Sequence, residues 1–323
     1  MKYLKSCWFV ALLAVALLVV VFIEMSIKHS PEKSKINIQE KEKPLVPDEK
    51  DLSNSEEDNL IRYGKELIAH TSKYLGPNGS VASVSNGLNC VNCHLEGGTK
   101  LFTNNFLGVA STYPKFRERS GRDESVEFRI NECLQRSLNG EEIDTLSKEM
   151  KAMVAYIKWT GKNVTKNIKT DGIKTKEVPF LQRAADPIKG TVVYTTKCKI
   201  CHGENGEGLK IPDSVGYLYP PLWGPYSYAV SAGMYRLTKL ASFVKYNMPL
   251  GASFTKPQLT DEEAWDVAAY INSKPHPKKM FAHDWPVLSS KPVDYPFGPY
   301  ADKFSEEQHK YGPFLAIEKA KKR

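Results

Sequence analysis

Two pentads carry the clearest chemistry in the chain: Cys90-Val91-Asn92-Cys93-His94 and Cys198-Lys199-Ile200-Cys201-His202. Two thiols at this spacing form thioethers with the vinyl groups of a haem, and the adjoining imidazole ligates its iron. The pattern assigns covalent attachment to Cys90, Cys93, Cys198 and Cys201, and proximal iron ligation to His94 and His202. A lone CxxC would equally suit zinc or a redox dithiol. Two copies, each followed by His at matched places in an internal repeat, point instead to two covalently bound c-type haems.

The sixth iron ligand separates an electron carrier from a catalyst. In small haem-c domains it comes from a Met in the loop before the last helix. Met248, in Asn247-Met248-Pro249-Leu250-Gly251, has that place in the second half. Met234 lies early for the role and Met280 lies beyond the last helix. A thioether ligand raises the potential. The first half has no Met there. Met248 stands 22 residues before Tyr270, and counting back about as far from Tyr156 reaches Cys133, 23 residues away. With four of the six cysteines in the pentads and Cys7 in the N-terminal apolar run, Cys133 is the one free thiol of the remainder. Its plain alternative is a buried inert cysteine. As a ligand, its thiolate would lower the potential.

Arginines surround that thiol. Arg129 and Ser137 stand four residues on either side of Cys133, so on a helix they share its face. Arg117, Arg119 and Arg122 lie just upstream and Arg136 just downstream. Guanidinium forks suit oxyanions, and the cluster predicts a small-anion pocket, against a merely solvated basic face.

Several elements must position these groups. Ser55 caps a predicted helix over 56–70, with Leu60, Ile61, Leu67 and Ile68 as its apolar stripe. Residues 124–138 and Lys148–Trp159 form two further amphipathic stretches, the latter with Met150 and Met153 on its core face. The second half repeats the order. A helix over 183–197 precedes its pentad, and Thr260 with Glu263 makes a capping box for a helix whose core face includes Trp265, Val267 and Ile271. Tyr156-Ile157 echoes Tyr270-Ile271. Each half therefore reads helix, CxxCH, long loop, helix. The expected fold is all-α, with two cytochrome c-type helical domains in tandem.

The chain opens with Met-Lys-Tyr-Leu-Lys and an apolar run from Cys7 to Ile23, an export signal. Small residues are missing where a signal peptidase would cut, which favours an uncleaved anchor over a cleaved peptide. The expected organisation is a signal-anchor over 1–27 and a Lys/Glu/Pro/Ser-rich flexible tether over 28–54. A first haem domain over 55–165, a linker over 166–182 and a second haem domain over 183–275 follow. A Pro- and aromatic-rich tail over 276–323 is expected to wrap the surface as extended chain. The protein is expected in the periplasm, held to the inner membrane by residues 7–23 or released. Composition is that of a globular protein, 41% hydrophobic and 25% charged, with a net charge of +8. No helix-turn-helix, zinc-finger or RNA-recognition pattern occurs, so the basic excess is not assigned to nucleic acid.

With these residues in place, most of 55–275 resembles the thiosulfate dehydrogenase family, dihaem cytochromes that also act as tetrathionate reductases. The resemblance rests on both CxxCH motifs, on Arg-x-x-x-Cys-x-x-x-Ser at 129–137 followed by Leu138-Asn139-Gly140, and on Asn247-Met248-Pro249-Leu250-Gly251. It implies a catalytic haem held by His94 and Cys133 and an electron-transfer haem held by His202 and Met248. It implies a substrate cleft of Arg129 and Ser137, joined by Arg119 and Arg136. Thiosulfate and tetrathionate are the implied substrates, and a c-type cytochrome or membrane redox protein the implied partner. Some members place a Lys beside the Met as a switching ligand. Here the neighbour is Asn247, leaving only the more distant Lys245. The rival readings are a non-catalytic dihaem carrier, a dihaem peroxidase, and a SoxA-like subunit that shares His/Cys ligation.

Overall fold

The computed structural model describes residues 46–166, 170–212 and 216–322. The anchor expected over 1–27 and most of the tether lie outside them. Among the described residues no helix is long and apolar enough to cross a membrane.

The first module is framed by α1 (Glu56–Ala69), α2 (Val126–Arg136) and α3 (Lys148–Thr160). Each begins at a serine whose hydroxyl accepts an early backbone N–H: Ser55 from Asp58, Ser125 from Phe128 and Ser147 from Met150. Leu67, Met150 and Met153 are fully buried between α1 and α3, so both methionines serve as core. The second module repeats the frame with α4 (Pro187–Lys197), α5 (Leu237–Asn247) and α6 (Asp261–Ser273). The predicted capping box is present at Thr260, whose N–H donates to Glu263 while its hydroxyl accepts the Glu263 N–H. α4 starts at Pro187 rather than 183, because Asp186 caps it and proline takes the first helical position.

The two modules share one packing device. α1 crosses α3, and α4 crosses α6, with a glycine at each closest approach. A Cβ on Gly64 would lie 2.0 Å from the Ala152 carbonyl oxygen, and one on Gly190 would lie 2.0 Å from that of Asp266. Only glycine lets the backbones come so close. Tyr156 and Tyr270 are the next contacts at the two crossings, so the tyrosines matched in the sequence repeat hold equivalent places in the two modules.

The described residues are helix-rich as expected, with two small antiparallel ribbons between the helices. One joins Lys115–Arg117 to Arg122–Glu124 and the other joins Leu209–Lys210 to Tyr217–Tyr219. Two expectations need correction. The end of the expected tether is docked: Leu52 packs on the first core, and Arg62 donates to the carbonyls of Leu52 and Ser53 at 2.8 and 2.7 Å. The tail over 276–323 is extended only in part. It ends in α7 (Glu306–Tyr311), capped by Ser305, and α8 (Leu315–Lys321). Phe314 and Ile317 are buried in the second module's core, and this apolar anchoring favours helix where Pro-rich composition suggested extended chain.

Candidate active site and haem centres

Both pentad histidines are oriented through Nδ1. His94 Nδ1 is bound by the Asn104 carbonyl, and His202 Nδ1 by the Pro220 carbonyl at 2.8 Å. A carbonyl on Nδ1 fixes the tautomer that offers Nε2 to a metal. Burial pushes His94 down to about 4, so its ring is neutral as a ligand must be. Burial also raises the thiols of Cys90 and Cys93, to about 11 and 12. None of the pentad cysteines is in a disulfide. The donor chemistry fits covalent haem at both pentads.

α2 presents Arg129, Cys133 and Ser137 as one half-exposed stripe, flanked by buried Ile130, Leu134 and Leu138. Cys133 is a near neighbour of both Cys90 and Cys93. The shared face predicted from spacing is therefore present, and it faces the first pentad. Arg129 is held firmly charged, first by Cys133 and then by Glu132. Tyr113 joins the same group; burial raises its phenol although Arg129 and Arg117 oppose the shift.

The remaining arginines are placed differently. Arg136 lies on the neighbouring, buried stripe with Glu132. Its Nε donates to Glu132 at 3.1 Å, and its two Nη groups take both oxygens of Asp284 at 2.6 and 2.7 Å. With its side chain only 7% exposed, Arg136 is committed to carboxylates and has no fork left for a substrate. Arg119 sits in the turn between the strands of the first ribbon. Its Nη1 lies 3.9 Å from Glu132 and is a buried donor without a hydrogen bond. Burial, then Arg129 and Arg136, push Arg119 down to about 10, still charged at neutral pH.

Glu132, missed in the sequence reading, is the hub. It accepts from Arg129 at 2.7 Å as well as from Arg136. Burial opposes its charge, but the three arginines hold its carboxyl below the ordinary range. Its spacing from Arg129 and Arg136, three and four residues, was a readable helix-pair signal.

In the second module Met248 is the C-cap of α5, and both it and Cys198 pack against the second core. Met234 is buried and accepts a contact from Asn104 Nδ2 at 3.7 Å, and Met280 is 49% exposed. Lys245 is taken up by the Leu259 carbonyl at 2.6 Å and by Asp261 at 2.7 Å, so it is not free to act as a ligand. The first pentad lies at the seam between modules: Cys93 and Leu95 pack on the second core, and Phe102 stacks on Phe254 at 3.8 Å.

Two family models match these halves. The SoxA/TsdA cytochrome c domain covers residues 80–165 and the cytochrome c model covers 188–274. The molecule is thus a tandem of two cytochrome c modules, each built for one covalently bound haem. The chain is 36% identical over 232 residues to the thiosulfate dehydrogenase of Stutzerimonas stutzeri, covering 72% of each chain. It is 39% identical over 200 residues to that of Allochromatium vinosum, covering 60% of this chain and 72% of that one. Among solved structures it resembles the thiosulfate dehydrogenase TsdBA of Marichromatium purpuratum. That match has a TM-score of 0.63 at 31% identity and covers 73% of this chain and 49% of that one. The chain belongs to the thiosulfate dehydrogenase family.

Proposed function

We propose that this chain is an exported dihaem enzyme that interconverts two thiosulfates with tetrathionate and two electrons. The chemistry takes place at the first module, with His94 and Cys133 as the iron ligands. His202 and Met248 hold the relay centre of the second module. The observation that carries this reading is the convergence of Cys133, Arg129 and Arg119 beside the first CxxCH. A plain electron carrier has no use for a thiol among arginines at a haem pocket.

Two thiosulfate dianions repel, so joining their sulfane sulfurs needs fixed positive charge. Arg129, charged and partly exposed, is the principal anion holder. Arg119 supports it with an unpartnered N–H in a dry setting, where such a donor acts most strongly. Ser137 adds a hydroxyl on the same face. Arg136, bound to Glu132 and Asp284, organises the others.

Cys133 supplies the soft nucleophile. In the reductive direction its thiolate attacks a sulfane sulfur of tetrathionate. The central S–S bond breaks, one thiosulfate leaves, and the other half remains on Cys133 as a mixed disulfide. Two electrons then return the Cys133 thiolate and the second thiosulfate, and oxidation is the same sequence reversed. Bound haems supply or accept those electrons one at a time and connect the site to a c-type cytochrome or membrane redox partner.

The first module's family model is shared with SoxA, but a SoxA-like subunit would need a separate haem partner. Here the second module lies in the same chain. The deciding experiment assays the haem-loaded protein with thiosulfate plus an electron acceptor, and with tetrathionate plus a donor. Turnover is expected, together with the EPR signature of a low-spin His/thiolate centre. Inertness in both assays would refute the reading.

A further inference from the structure

The tail after Lys274 lies beyond both matched cytochrome c models, yet its segment Lys279–Trp285 reaches the arginine cluster of the first module. We propose that this segment is part of the first module's anion site, with Asp284 and Trp285 acting as positioning residues for Arg136 and Arg119. The inference rests on the anion-site reading above.

Contacts from four tail residues carry it. Asp284 takes both Nη groups of Arg136, a bidentate pair that fixes the guanidinium plane. Phe281 lies 4.0 Å from that guanidinium. Trp285 donates its backbone N–H to the Arg119 carbonyl at 2.7 Å, and its ring lies 5.8 Å from the Arg119 guanidinium. Lys279 ties the start of the segment to the end of α2's loop, through the Gly140 carbonyl and Glu141.

The backbone adds an independent sign. Trp285 has φ +62, the left-handed region, and is 7% exposed. A bulky residue there is strained and persists only where its surroundings over-determine it. Here those surroundings are Arg119 and Tyr295. A tail that merely covered surface would have no need of this conformation.

The chain of action is explicit. Asp284 holds Arg136, whose Nε holds one oxygen of Glu132. The other oxygen of Glu132 then binds Arg129, which faces Cys133. Removing Asp284 releases Arg136, and Glu132 is free to turn from Arg129 toward it. The local charge rises by one, which would by itself favour anions. Lost positioning therefore shows as weaker binding despite stronger attraction.

The test is steady-state kinetics on the haem-loaded full chain. Asp284→Asn should raise KM for thiosulfate about 10- to 100-fold, with a smaller change in kcat. Asp284→Glu should recover most of the loss, and the second centre's potential should not move. Combining Asp284→Asn with Arg136→Gln should be no worse than the more damaging single change, since the two act as a unit. A KM within twofold of wild type, or additive losses, overturns the proposal. Should Asp284→Asn fail to fold, Phe281→Leu decides: a raised KM with kcat kept supports the tail's role, and an unchanged KM refutes it. A wild-type chain inert to both sulfur anions defeats the functional reading as well. An active wild type with an unaffected Asp284→Asn defeats only the tail's part.

Discussion

In the first module the helix before α3 continues three residues past Cys133. In the second, the helix before α6 ends at Asn247, one residue before Met248. The frames around these sulfurs are alike: both modules cross two helices at a glycine and bind the pentad His through a backbone carbonyl. The places of the two sulfurs are not alike. Cys133 lies inside α2, among Arg129, Glu132 and Arg136, whereas Met248 caps α5 in apolar surroundings. By helix ends, the counterpart of Met248 is Ser137, which caps α2. A common scaffold thus carries an Arg/Glu cluster around the cysteine of one copy and an apolar packing site for the methionine of the other. The tail serves both, since Asp284 binds α2 through Arg136 and Asp294 binds the start of α5 through Arg236 and Thr238.

The sharpest way to break this contrast is Cys133→Ala. Two covalent haems per chain should remain by haemochrome assay, while turnover falls about a thousandfold or more. Near-normal activity would reduce the first module to a second carrier. Met248→Leu should do the reverse, lowering the second centre's potential by roughly a hundred millivolts or more, within the range axial ligands command. KM for thiosulfate should stay unchanged. Arg129→Gln should raise that KM about 10- to 100-fold, the worth of one charged hydrogen bond, with both potentials nearly constant. Gly64→Ala and Gly190→Ala should be matched lesions, each costing about 1–3 kcal/mol as a Cβ is forced against a carbonyl, read by thermal unfolding. The smallest effect is expected of Lys245→Gln, which should leave the visible spectrum unaltered; a shifted spectrum would return Lys245 to the ligand candidates.

Much of this was legible in the sequence because it is local. Serine and threonine caps, the capping box and the Arg129–Cys133–Ser137 stripe all follow from spacings of three or four residues. α5 was not singled out, although Met248 at its end was. The status of Arg136 was hidden for a different reason. Spacing puts it near Cys133, but its loss to the substrate depends on Asp284, which arrives from 148 residues away. Asn104 gave no signal either, because it holds His94 with its main chain, which no side-chain pattern records. The helical end of the tail was obscured by proline-rich flanks, and tertiary burial of Phe314 and Ile317 decided the matter.

Asn104 has one further consequence. Its carbonyl steadies His94, its amide touches Met234 of the other module, and its side-chain oxygen accepts from Thr175 in the connecting segment. The imidazole that would set the ligand field of one metal is therefore braced from the neighbouring half. A midpoint voltage recorded on an excised N-terminal half describes a loosened centre, and only the joined pair reports the gap that drives current between them.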